Sequence, residues 1–573
     1  MKHTAEYPTW DAAQFRALLD GIETRFADNI AFMWRDPAAP DGIACRTYAD
    51  AARDVRNLAT YLCAMGLQNR PVAVCGKNSY EWEIAYLAIG CGCGMIVPID
   101  RDLRADEMAY QLADAGCAAI LYGDDVRAKA DAIDDDRILK LPLSDTDLYL
   151  SRGDALRQAG SRAYENHTAD ADAPGVLLYT CGTPGIARGI LLSQRGICAN
   201  VTALCKTVKL RETDRMLSHL PLFQSYECTM HLAMLYSGAC IAFGDGIRHM
   251  PSDLALFRPT VLVTVPAVLE FMARFVEKGY AGARGGKLLL GVQRAATGVV
   301  SHTVGHLSRT TAEKSRRAIF STVHSFMGGR LRAVAVGGAP LSAEIFRRFE
   351  QFGYAVYTGF GLTEAAPIIL SHTDKYRSPD DNGFPLPGSE VRIDNPDEDG
   401  IGMMYVRGPS VMLGYYRDEA ATAAVLQNGW LSTGVLARRT ESGAYRITGR
   451  NTDIILSPTG KKIYPAELES YFCRHPLVHD CRVYEEQEGT GVLCAAIAPD
   501  RQLLADALGL PPETDPAMLS EADTARAKAL LLEVVTGVNA SHPPYKHIKK
   551  LILRSSDFTH TADAESAAPG TGN

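Results

Sequence analysis

The sequence predicts a multidomain α/β protein in which helices cover largely buried β-sheets. Short apolar runs rich in valine and isoleucine alternate with amphipathic segments over most of the first 450 residues. This alternation is typical of repeated β–α units. The chain has 573 residues, which is more than one hydrophobic core usually organises, so we expect two or more domains.

The β–α segments form two series along the chain. The first series consists of Pro71–Cys75, Tyr80–Ala88, Met95–Ile99, Ala105–Ala115 and Ala118–Tyr122. The second series consists of Met216–Leu220, Met230–Tyr236, Cys240–Phe243, Thr260–Val265 and Leu331–Val336. We interpret the short valine- and isoleucine-rich members as strands and the amphipathic members as helices.

A domain boundary is expected at the turn-rich stretch Gly449–Asp453, after which a smaller region shows its own strand and helix pattern. We therefore divide the chain into a large N-terminal domain (residues 1–448), a C-terminal domain (449–557) and a tail (558–573). The tail consists of small and polar residues and is expected to be disordered.

The composition excludes several classes of protein. A net charge of −8 argues against nucleic-acid partners, which need a basic surface. The 14 cysteines form no CxxC pair, so we expect no metal site built from cysteine and histidine. Because the first residues do not resemble a signal peptide, we expect reduced thiols in a cytoplasmic protein. No expectation about the oligomeric state follows from the sequence.

The segment Lys287–Gly329 combines basic and apolar residues, with Glu313 as its one acid. A surface helical hairpin is the simpler interpretation. A peripheral membrane contact is the alternative, because basic residues beside apolar ones favour an anionic lipid surface. The longest apolar stretches, such as Tyr86–Ile99, are too short and too rich in glycine to span a bilayer.

The most informative segment is Leu178–Ile190, which leaves an apolar run and enters a glycine-rich loop. Its functional groups are those of Thr180, Cys181, Gly182, Thr183, Gly185, Arg188 and Gly189. Glycines let consecutive backbone N–H groups turn toward one anion, and a hydroxyl and a cation complete a phosphate cradle. The loop lacks the Gly-Lys-Ser/Thr ending of a Walker loop. Alone it is a moderate signal, because such turns more often close hairpins.

Five further segments matter because of their order along the chain. Gly337–Leu341 and Thr358–Glu364 each follow an apolar strand. The others are Arg407–Tyr415, Gly429–Gly434, and the pair formed by Gly449–Ile455 and Gly460–Glu467. Each segment alone is compatible with a structural turn, whereas the six in this order form a specific pattern.

Together these motifs closely resemble those of the AMP-forming acyl-adenylating enzymes, and within them the long-chain fatty-acid–CoA ligases. The resemblance extends from about Thr47 to about Asp557. It implies a large domain with two main sheets and a distorted barrel, followed by a small mobile α+β domain. It also implies that a carboxylate attacks the α-phosphate of ATP, after which the thiol of coenzyme A attacks the acyl-adenylate. ATP, magnesium and coenzyme A are the implied cofactors, and a fatty acid or related carboxylate is the implied substrate.

The resemblance assigns roles to individual residues. Glu364 would hold magnesium with help from Thr180, and hard oxygen ligands suit that ion. Thr363 would touch the α-phosphate, and Arg450 would bind the ribose. Thr452 occupies the hinge position, and Lys461 lies in the loop that approaches the thiol site. The implied catalytic set is Thr180, Arg188, Glu364 and Lys461.

Two further groups of residues follow from the same resemblance. The remaining nucleotide-binding residues are Gly338, Ala339, Pro340, Gly359, Phe360 and Gly361, with Phe360 stacking on the purine. The acyl-binding residues are Gln224, Tyr226, Val265, Pro266 and Gly337.

The sequence departs from the family pattern at positions that bear on the chemistry. In the phosphate loop, Pro184 removes a backbone donor, whereas Arg188 keeps a cation. Val435 stands where the family has an aspartate that accepts both ribose hydroxyls. A hydrogen bond to a charged group is worth roughly 1.5–3 kcal/mol, so ATP affinity is expected to fall about tenfold to a hundredfold. Glu565 stands at the position of the adenylation lysine, and loss of such a charge stabiliser costs on the order of 10²–10³ in rate.

Three hypotheses follow from these matches and departures. The first is an AMP-forming acyl-CoA synthetase with slow adenylation, in which His560 or Arg554 substitutes for the missing cation. The second is a pseudoenzyme that binds acyl groups or nucleotide without turnover. The third is an adenylating enzyme with a carrier-protein or amine acceptor.

Overall fold

The computed structural model describes residues 6–180, 187–281, 309–450, 455–456, 462–486, 492–511 and 514–554. Within these ranges the strands form sheets of nine, seven, five, three and two strands. Helices accompany the two largest sheets throughout, so the predicted α/β class is confirmed.

The first third of the chain alternates strands and helices. Its helices and strands are α1 (Phe15–Phe26), β1 (Ile30–Arg35), β2 (Ile43–Thr47), α2 (Tyr48–Ala64), β3 (Val72–Cys75), α3 (Tyr80–Gly92), β4 (Ile96–Ile99), α4 (Ala105–Ala115), β5 (Ala119–Tyr122), α5 (Arg127–Asp131), β6 (Leu139–Pro142), α6 (Thr146–Gln158), α7 (Ala163–Asn166) and β7 (Pro174–Thr180).

The same alternation continues through the middle third. Its helices and strands are β8 (Arg188–Ser193), α8 (Gln194–Thr207), β9 (Arg215–Ser218), α9 (Ser225–Tyr236), β10 (Cys240–Phe243), α10 (Met250–Phe257), β11 (Val261–Thr264), α11 (Pro266–Ala281), α12 (Arg309–Ile319), α13 (Ser321–Phe326), β12 (Ala333–Val336), α14 (Ala343–Gln351), β13 (Ala355–Gly361) and β14 (Ile368–Ser371).

Strands predominate in the last third until the C-terminal region begins. The helices and strands are β15 (Phe384–Pro385), β16 (Glu390–Asp394), β17 (Gly402–Arg407), β18 (Gly414–Tyr415), α15 (Glu419–Val425), β19 (Leu426–Gln427), β20 (Trp430–Arg439), β21 (Tyr445–Arg450), β22 (Ile455–Leu456), β23 (Lys462–Ile463), α16 (Pro465–Phe472), β24 (Val478–Glu485), β25 (Leu493–Pro499), α17 (Arg501–Leu508), α18 (Glu521–Ala540) and β26 (Ile548–Leu553).

The two large sheets are mainly parallel. The nine-stranded sheet has the order β15-β14-β13-β12-β11-β9-β10-β1-β2, and its strands from β13 to β1 run parallel. The seven-stranded sheet has the order β18-β8-β7-β4-β3-β5-β6. Strands such as β3, β4 and β5 are buried at every residue, as continuous apolar runs in a sheet covered on both faces require. One continuous core joins both sheets to helices α1, α2, α3, α8 and α9.

Three buried charged groups connect α9 to α3. His231 Nδ1 lies 2.9 Å from the carboxylate of Glu83, and His231 Nε2 lies 3.5 Å from that of Glu227. Burial opposes protonation of His231, but the two carboxylates raise its pKa to about 9. A charged imidazole between two carboxylates offsets part of the cost of burying them. The contact fixes the helix whose first turn reaches the candidate site.

The predicted segments agree closely with the observed elements. The expected helix Tyr80–Ala88 is found as α3, which continues to Gly92. The expected helix Met230–Tyr236 is the second half of α9, which begins earlier, at Ser225. In the basic segment predicted as a helical hairpin, the part that the structure describes forms α12 and α13. Residues 287–308 of that prediction lie outside the described residues.

The C-terminal region has its own hydrophobic core. Leu468 and Phe472 of α16 pack with β24, β25, β26 and α18 in a cluster separate from the main core. Strand β21 ends at Arg450, two residues beyond the predicted end of the large domain, and it pairs with β20. No helix in the described part of the chain is long and apolar enough to cross a membrane.

Gly153 lets α6 approach α2 closely, because an added Cβ there would lie 1.9 Å from the backbone oxygen of Asn57. We expect Gly153→Ala to destabilise the protein by about 1–3 kcal/mol, as overpacking against backbone does. Gly537 is the matched control, since it lies in α18 with nothing within 4 Å of an added Cβ. Gly537→Ala should be neutral or stabilising, because alanine favours helix. Scanning calorimetry of both variants tests this, and equal melting profiles would contradict it.

Candidate active site

A cleft of about 1290 Å³, called the main cleft below, lies at one edge of the nine-stranded sheet. It opens where β12 and β13 end, and residues of α9, β20 and β21 complete its walls. Ligands of open α/β sheets bind outside the carboxyl ends of parallel strands, so this is the expected place for a site.

Strand register brings two of the predicted motifs together at this edge. Val336 of β12 lies opposite Thr358 of β13, and both strands run in the same direction. The next residues are both glycines: Gly337 directly follows β12, and Gly359 continues β13, where it pairs with Ser371 of β14. A Cβ at Gly359 would lie 2.3 Å from the carbonyl oxygen of Leu370, so β14 can approach only a glycine there.

The first turn of α9 faces the same edge. A Cβ on Gly337 would lie 2.8 Å from Cζ of Tyr226, so the tyrosine ring packs directly on the Gly337 backbone. The hydroxyls of Ser225 and Thr363 are 3.3 Å apart. Gln224, which precedes them, is exposed within the main cleft. This corner thus presents two hydroxyls, an amide and an aromatic ring to a ligand.

Tyr415 links Glu364 to Arg188. Its hydroxyl donates a 3.1 Å hydrogen bond to Oε1 of Glu364, and its ring lies 4.7 Å from the Arg188 guanidinium carbon. Burial and the Glu364 carboxylate raise the pKa of Tyr415 to about 12, so this hydroxyl remains a donor at neutral pH. Arg188 also lies 3.9 Å from Asp418. The predicted acid and the predicted cation therefore both contact the side chain of Tyr415.

Backbone contacts fix the segment that carries Glu364. The buried side chain of Asn200 donates to the carbonyl of Ile368 at 2.8 Å and accepts from its N–H at 3.3 Å. The N–H of Met412 donates to the carbonyl oxygen of Glu364 at 2.8 Å. Because the chain is fixed on both sides of Glu364, its carboxylate has little freedom to leave the site.

Val435 and Arg450 are direct cross-strand neighbours in β20 and β21. Val435 is buried, whereas Arg450 is exposed and forms no ion pair within the described residues. Asn382 joins this sheet to β13, since its amide donates to the Gly359 carbonyl at 3.3 Å and accepts from the Ile447 N–H at 3.0 Å. The two positions that sequence comparison connects with ribose thus share one wall of the main cleft.

One arm of the main cleft, called the apolar limb, runs along the face of the nine-stranded sheet. Its floor contains Ala333, Ala335 and Gly337, which alternate along β12 and so share one face. Leu204 of α8 and Met230 of α9 line the same limb. Small floor residues opposite larger aliphatic walls leave space suited to an alkyl chain.

Residues of the C-terminal region also line the main cleft. Lys546 Nζ lies 2.8 Å from Oε2 of Glu467, and both residues face the cleft. Tyr464 connects the regions, because its hydroxyl donates to Oδ2 of Asp397 at 2.7 Å. The cleft is therefore bounded by both parts of the chain.

The predicted site residues fall into three groups. Those that line the main cleft are Thr180, Gln224, Tyr226, Gly337, Gly338, Ala339, Pro340, Gly359, Phe360, Gly361, Thr363 and Arg450. Those absent from its lining are Arg188 and Glu364, which meet at Tyr415, and Val265 and Pro266 at the start of α11. Those outside the described residues are Cys181, Gly182, Thr183, Gly185, Thr452, Lys461 and Glu565.

Sequence analysis did not assign roles to Ser225, Asn382 and Tyr415. Tyr415 closes the recognised motif Arg407–Tyr415, so its position in an ordered motif was the available signal. Ser225 lies in the segment Leu220–Glu227, which resembles the lining of the family's acyl pocket, so its position was a signal as well. Asn382 carried no comparable signal, because its importance comes from contacts with Gly359 and Ile447.

Comparisons with known proteins agree with this arrangement. A family model described as AMP-binding enzyme matches residues 23–416, more than half of the chain. The long-chain-fatty-acid–CoA ligase FadD15 of Mycobacterium bovis is 29% identical over 447 residues, which are 75% of this chain and 74% of that protein.

Two solved structures have a similar fold. The o-succinylbenzoate CoA synthetase of Bacillus subtilis gives a TM-score of 0.67 at 20% identity, with 94% of each chain covered. A fatty acyl CoA synthetase of Mycobacterium tuberculosis gives a TM-score of 0.64 at 19% identity, with 95% of each chain covered. At such identities these structures support the fold alone.

The chain therefore belongs to the AMP-binding enzyme family. The assignment made from the motifs, to AMP-forming acyl-adenylating enzymes with the long-chain acyl-CoA ligases as relatives, is confirmed.

The contact between Tyr415 and Glu364 can be tested by removing a single hydroxyl. Tyr415→Phe should weaken magnesium-dependent ATP binding about threefold to tenfold, because Glu364 loses the donor that orients it. Tyr416→Phe is the matched control, since no hydrogen bond of the Tyr416 hydroxyl is present in the described structure. Calorimetric titration with ATP and magnesium measures both variants. Equal affinities for wild type and Tyr415→Phe would exclude a positioning role.

Proposed function

We propose that this protein activates a fatty acid with ATP to an acyl-adenylate and then transfers the acyl group to coenzyme A. The observation that carries the proposal is that Thr180 and Thr363 line the same cleft as the apolar limb, while Glu364, which follows Thr363 in the chain, is held by the Tyr415 hydroxyl. Family membership supports the use of ATP and an acyl acceptor thiol. Long-chain-fatty-acid–CoA ligase is the name of the Mycobacterium bovis relative, and we extend that activity to this chain as part of the proposal.

In the first half-reaction the acid's carboxylate oxygen bonds to the α-phosphorus of ATP while the bond to pyrophosphate breaks. The protein's contribution is to place the two reactants in line and to neutralise charge. Thr363 would donate its hydroxyl to the α-phosphate, and Arg188 would face the leaving phosphates from β8. Phe360 would stack on the adenine.

Magnesium fits the residues present. The tyrosine hydrogen bond occupies only Oε1 of Glu364, and Thr180 supplies a hydroxyl at the end of β7. Magnesium usually binds through one or two carboxylates together with substrate phosphates. When bound, it would neutralise phosphate charge, with Glu364 as its main protein ligand and Thr180 as the second.

In the second half-reaction the thiol of coenzyme A attacks the acyl carbonyl, and AMP leaves. The resemblance places Lys461 near this step and makes Thr452 the hinge of a domain rotation. Both residues lie outside the described residues, so their roles stay predictions.

We further propose that adenylation is slow. Val435 cannot accept the ribose hydroxyls, and its side chain is buried beside Arg450. If Glu565 takes the place of the adenylation lysine, it adds repulsion toward the phosphates rather than attraction. The buried valine is also the observation that favours the alternative function, a protein that binds acyl groups or nucleotide without turnover.

The proposed function is tested first at Glu364. Glu364→Gln keeps the shape of the side chain and an oxygen that accepts from Tyr415, but it removes the negative charge. Magnesium should then no longer tighten ATP binding, so the ATP affinity measured with magnesium should fall by at least about tenfold. Glu344→Gln, an exposed substitution on α14, is the matched control. Calorimetry with and without magnesium, together with pyrophosphate release from a panel of fatty acids, gives the result. Metal dependence that survives in Glu364→Gln would show that the metal ligand is misassigned.

The second test introduces the aspartate and the lysine that the family pattern has at positions 435 and 565. Val435→Asp should tighten ATP binding about tenfold to a hundredfold, because the new carboxylate can accept the ribose hydroxyls beside Arg450. Val435→Asn is the neutral control and should recover less. Combining Val435→Asp with Glu565→Lys should raise pyrophosphate release by at least about tenfold.

Supplied acyl-adenylate separates the two candidate functions. The enzyme should convert it to the coenzyme A thioester even without the restored groups, because that step does not use the adenylation lysine. Failure of both half-reactions in every variant would leave the binding-protein hypothesis in place.

A further inference from the structure

A smaller cavity of about 300 Å³ lies at the opposite end of the nine-stranded sheet from the nucleotide site, and is called the second cavity below. It is formed where β12 and β13 begin, so its lining includes Arg332, Gly353 and Ala355. The N-terminal segment, the loop after α8 and helix α12 complete it with Tyr7, Lys209 and Arg317. The motifs recognised in the sequence do not reach this part of the molecule.

The second cavity carries excess positive charge. Its cationic lining residues are Lys209, Arg211, Lys314, Arg317, Arg332 and Arg377, and its acidic lining residues are Glu313 and Asp374. Arg332 is paired with the buried Asp214, and Arg377 is paired with Glu313 and Glu350. With Asp214 and Glu350 included, six cations face four acids, which leaves a formal charge of +2.

Four of these cations have no acidic partner. Lys209, Arg211, Lys314 and Arg317 form no ion pair with any residue that the structure describes. Lys209, Arg211 and Lys314 are exposed at the mouth, whereas Arg317 is half-buried against Gly353. Burial lowers the pKa of Arg317; Tyr354 and Glu313 oppose that shift, and neighbouring Arg332 adds to it. An anion in the cavity would relieve this repulsion.

The remaining acid in the lining is already saturated with donors. Oδ2 of Asp374 accepts from the Tyr7 hydroxyl at 2.5 Å and from the backbone N–H of Lys209 at 3.0 Å. Its Oδ1 accepts from the Tyr357 hydroxyl at 2.5 Å. These contacts hold the wall of the cavity in place, and they direct the Asp374 carboxylate toward neutral donors rather than toward the four unpaired cations.

We infer that the second cavity is a binding site for a carboxylate or phosphate group. Guanidinium groups bind both anions through paired hydrogen bonds, and lysine adds a mobile charge. A space of about 300 Å³ is at the lower end of ligand pockets, so it suits a small anionic group.

Two sources could supply that group. A free anion could enter from solvent, or the distal end of an acyl substrate could carry it. The second source is considered because Arg332 and Tyr357 line both the second cavity and the main cleft. Val208 and Leu210 lead toward the same wall from the apolar limb.

The experiment is calorimetric titration of the full chain with inorganic phosphate at constant ionic strength. Wild type is compared with Lys209→Gln/Arg317→Gln and with Lys209→Gln/Arg211→Gln. The second pair changes only exposed positions, so it separates loss of charge from any disturbance of the half-buried Arg317. Lys528→Gln, an exposed lysine of α18 outside the cavity, is the matched control. Phosphate can also enter the main cleft. Binding to the second cavity is therefore measured as the phosphate binding that wild type shows and the double variants lack.

The affinity for phosphate should fall by at least about tenfold in both double variants and stay unchanged in the control. A loss of this size is expected when hydrogen bonds to a charged group are removed. A parallel titration compares dodecanedioic acid with dodecanoic acid. If the double variants weaken the diacid and spare the monoacid, the anion is the distal end of the substrate. If they weaken phosphate alone, a free anion is the ligand.

Equal binding of phosphate and of both acids by wild type and the double variants would overturn the proposal. The phosphate titration needs neither ATP nor acyl transfer, so its outcome is independent of the proposed function. Absence of pyrophosphate release would likewise leave the anion site standing.

Discussion

The main cleft depends on the register in which β11, β12 and β13 pair in parallel. Thr264, Val336 and Thr358 lie level with one another across these strands. The loops that follow therefore meet at one edge, and the small residues of β12 face the apolar limb. A shift of one residue would turn Val334 toward the limb in place of Ala335, because side chains alternate between the faces of a strand. Both the edge that bears Gly337 and Gly359 and the apolar limb would then be lost.

Local sequence patterns were sufficient for the elements that carry this register. Valine- and isoleucine-rich runs marked the buried strands, and Ala118–Tyr122 was found as β5 with a difference of one residue. The start of α9 was missed because its first turn contains the acid Glu227, which looks like a surface residue. Glu227 is buried because the imidazole of His231, one turn further along α9, lies 3.5 Å from its carboxylate, and His231 is held in turn by Glu83 of α3. Local hydrophobicity cannot show a partner supplied by another helix.

The site was predictable to the extent that its groups lie in motifs. The family resemblance assigned Gly337 to acyl binding and Gly359 and Thr363 to nucleotide binding, and all three line the main cleft. The link from Glu364 through Tyr415 to Arg188 was not predictable, because it requires the two-residue strand β18 to pair with β8. The same holds for Val435 beside Arg450, which follows from the register of β20 and β21. Contacts of this kind depend on tertiary pairing, which leaves no periodic signal in the sequence.

The distribution of charge explains how an acidic protein can contain a cationic cavity. A net charge of −8 describes the whole chain, whereas electrostatic potential in a cavity is set by the few groups that line it. Arg332 and Tyr357 belong to both cavities, so a ligand that moves either side chain changes the other site. Such coupling is reciprocal. If an anion raises the affinity for the acyl chain by a given factor, the acyl chain raises the affinity for the anion by the same factor.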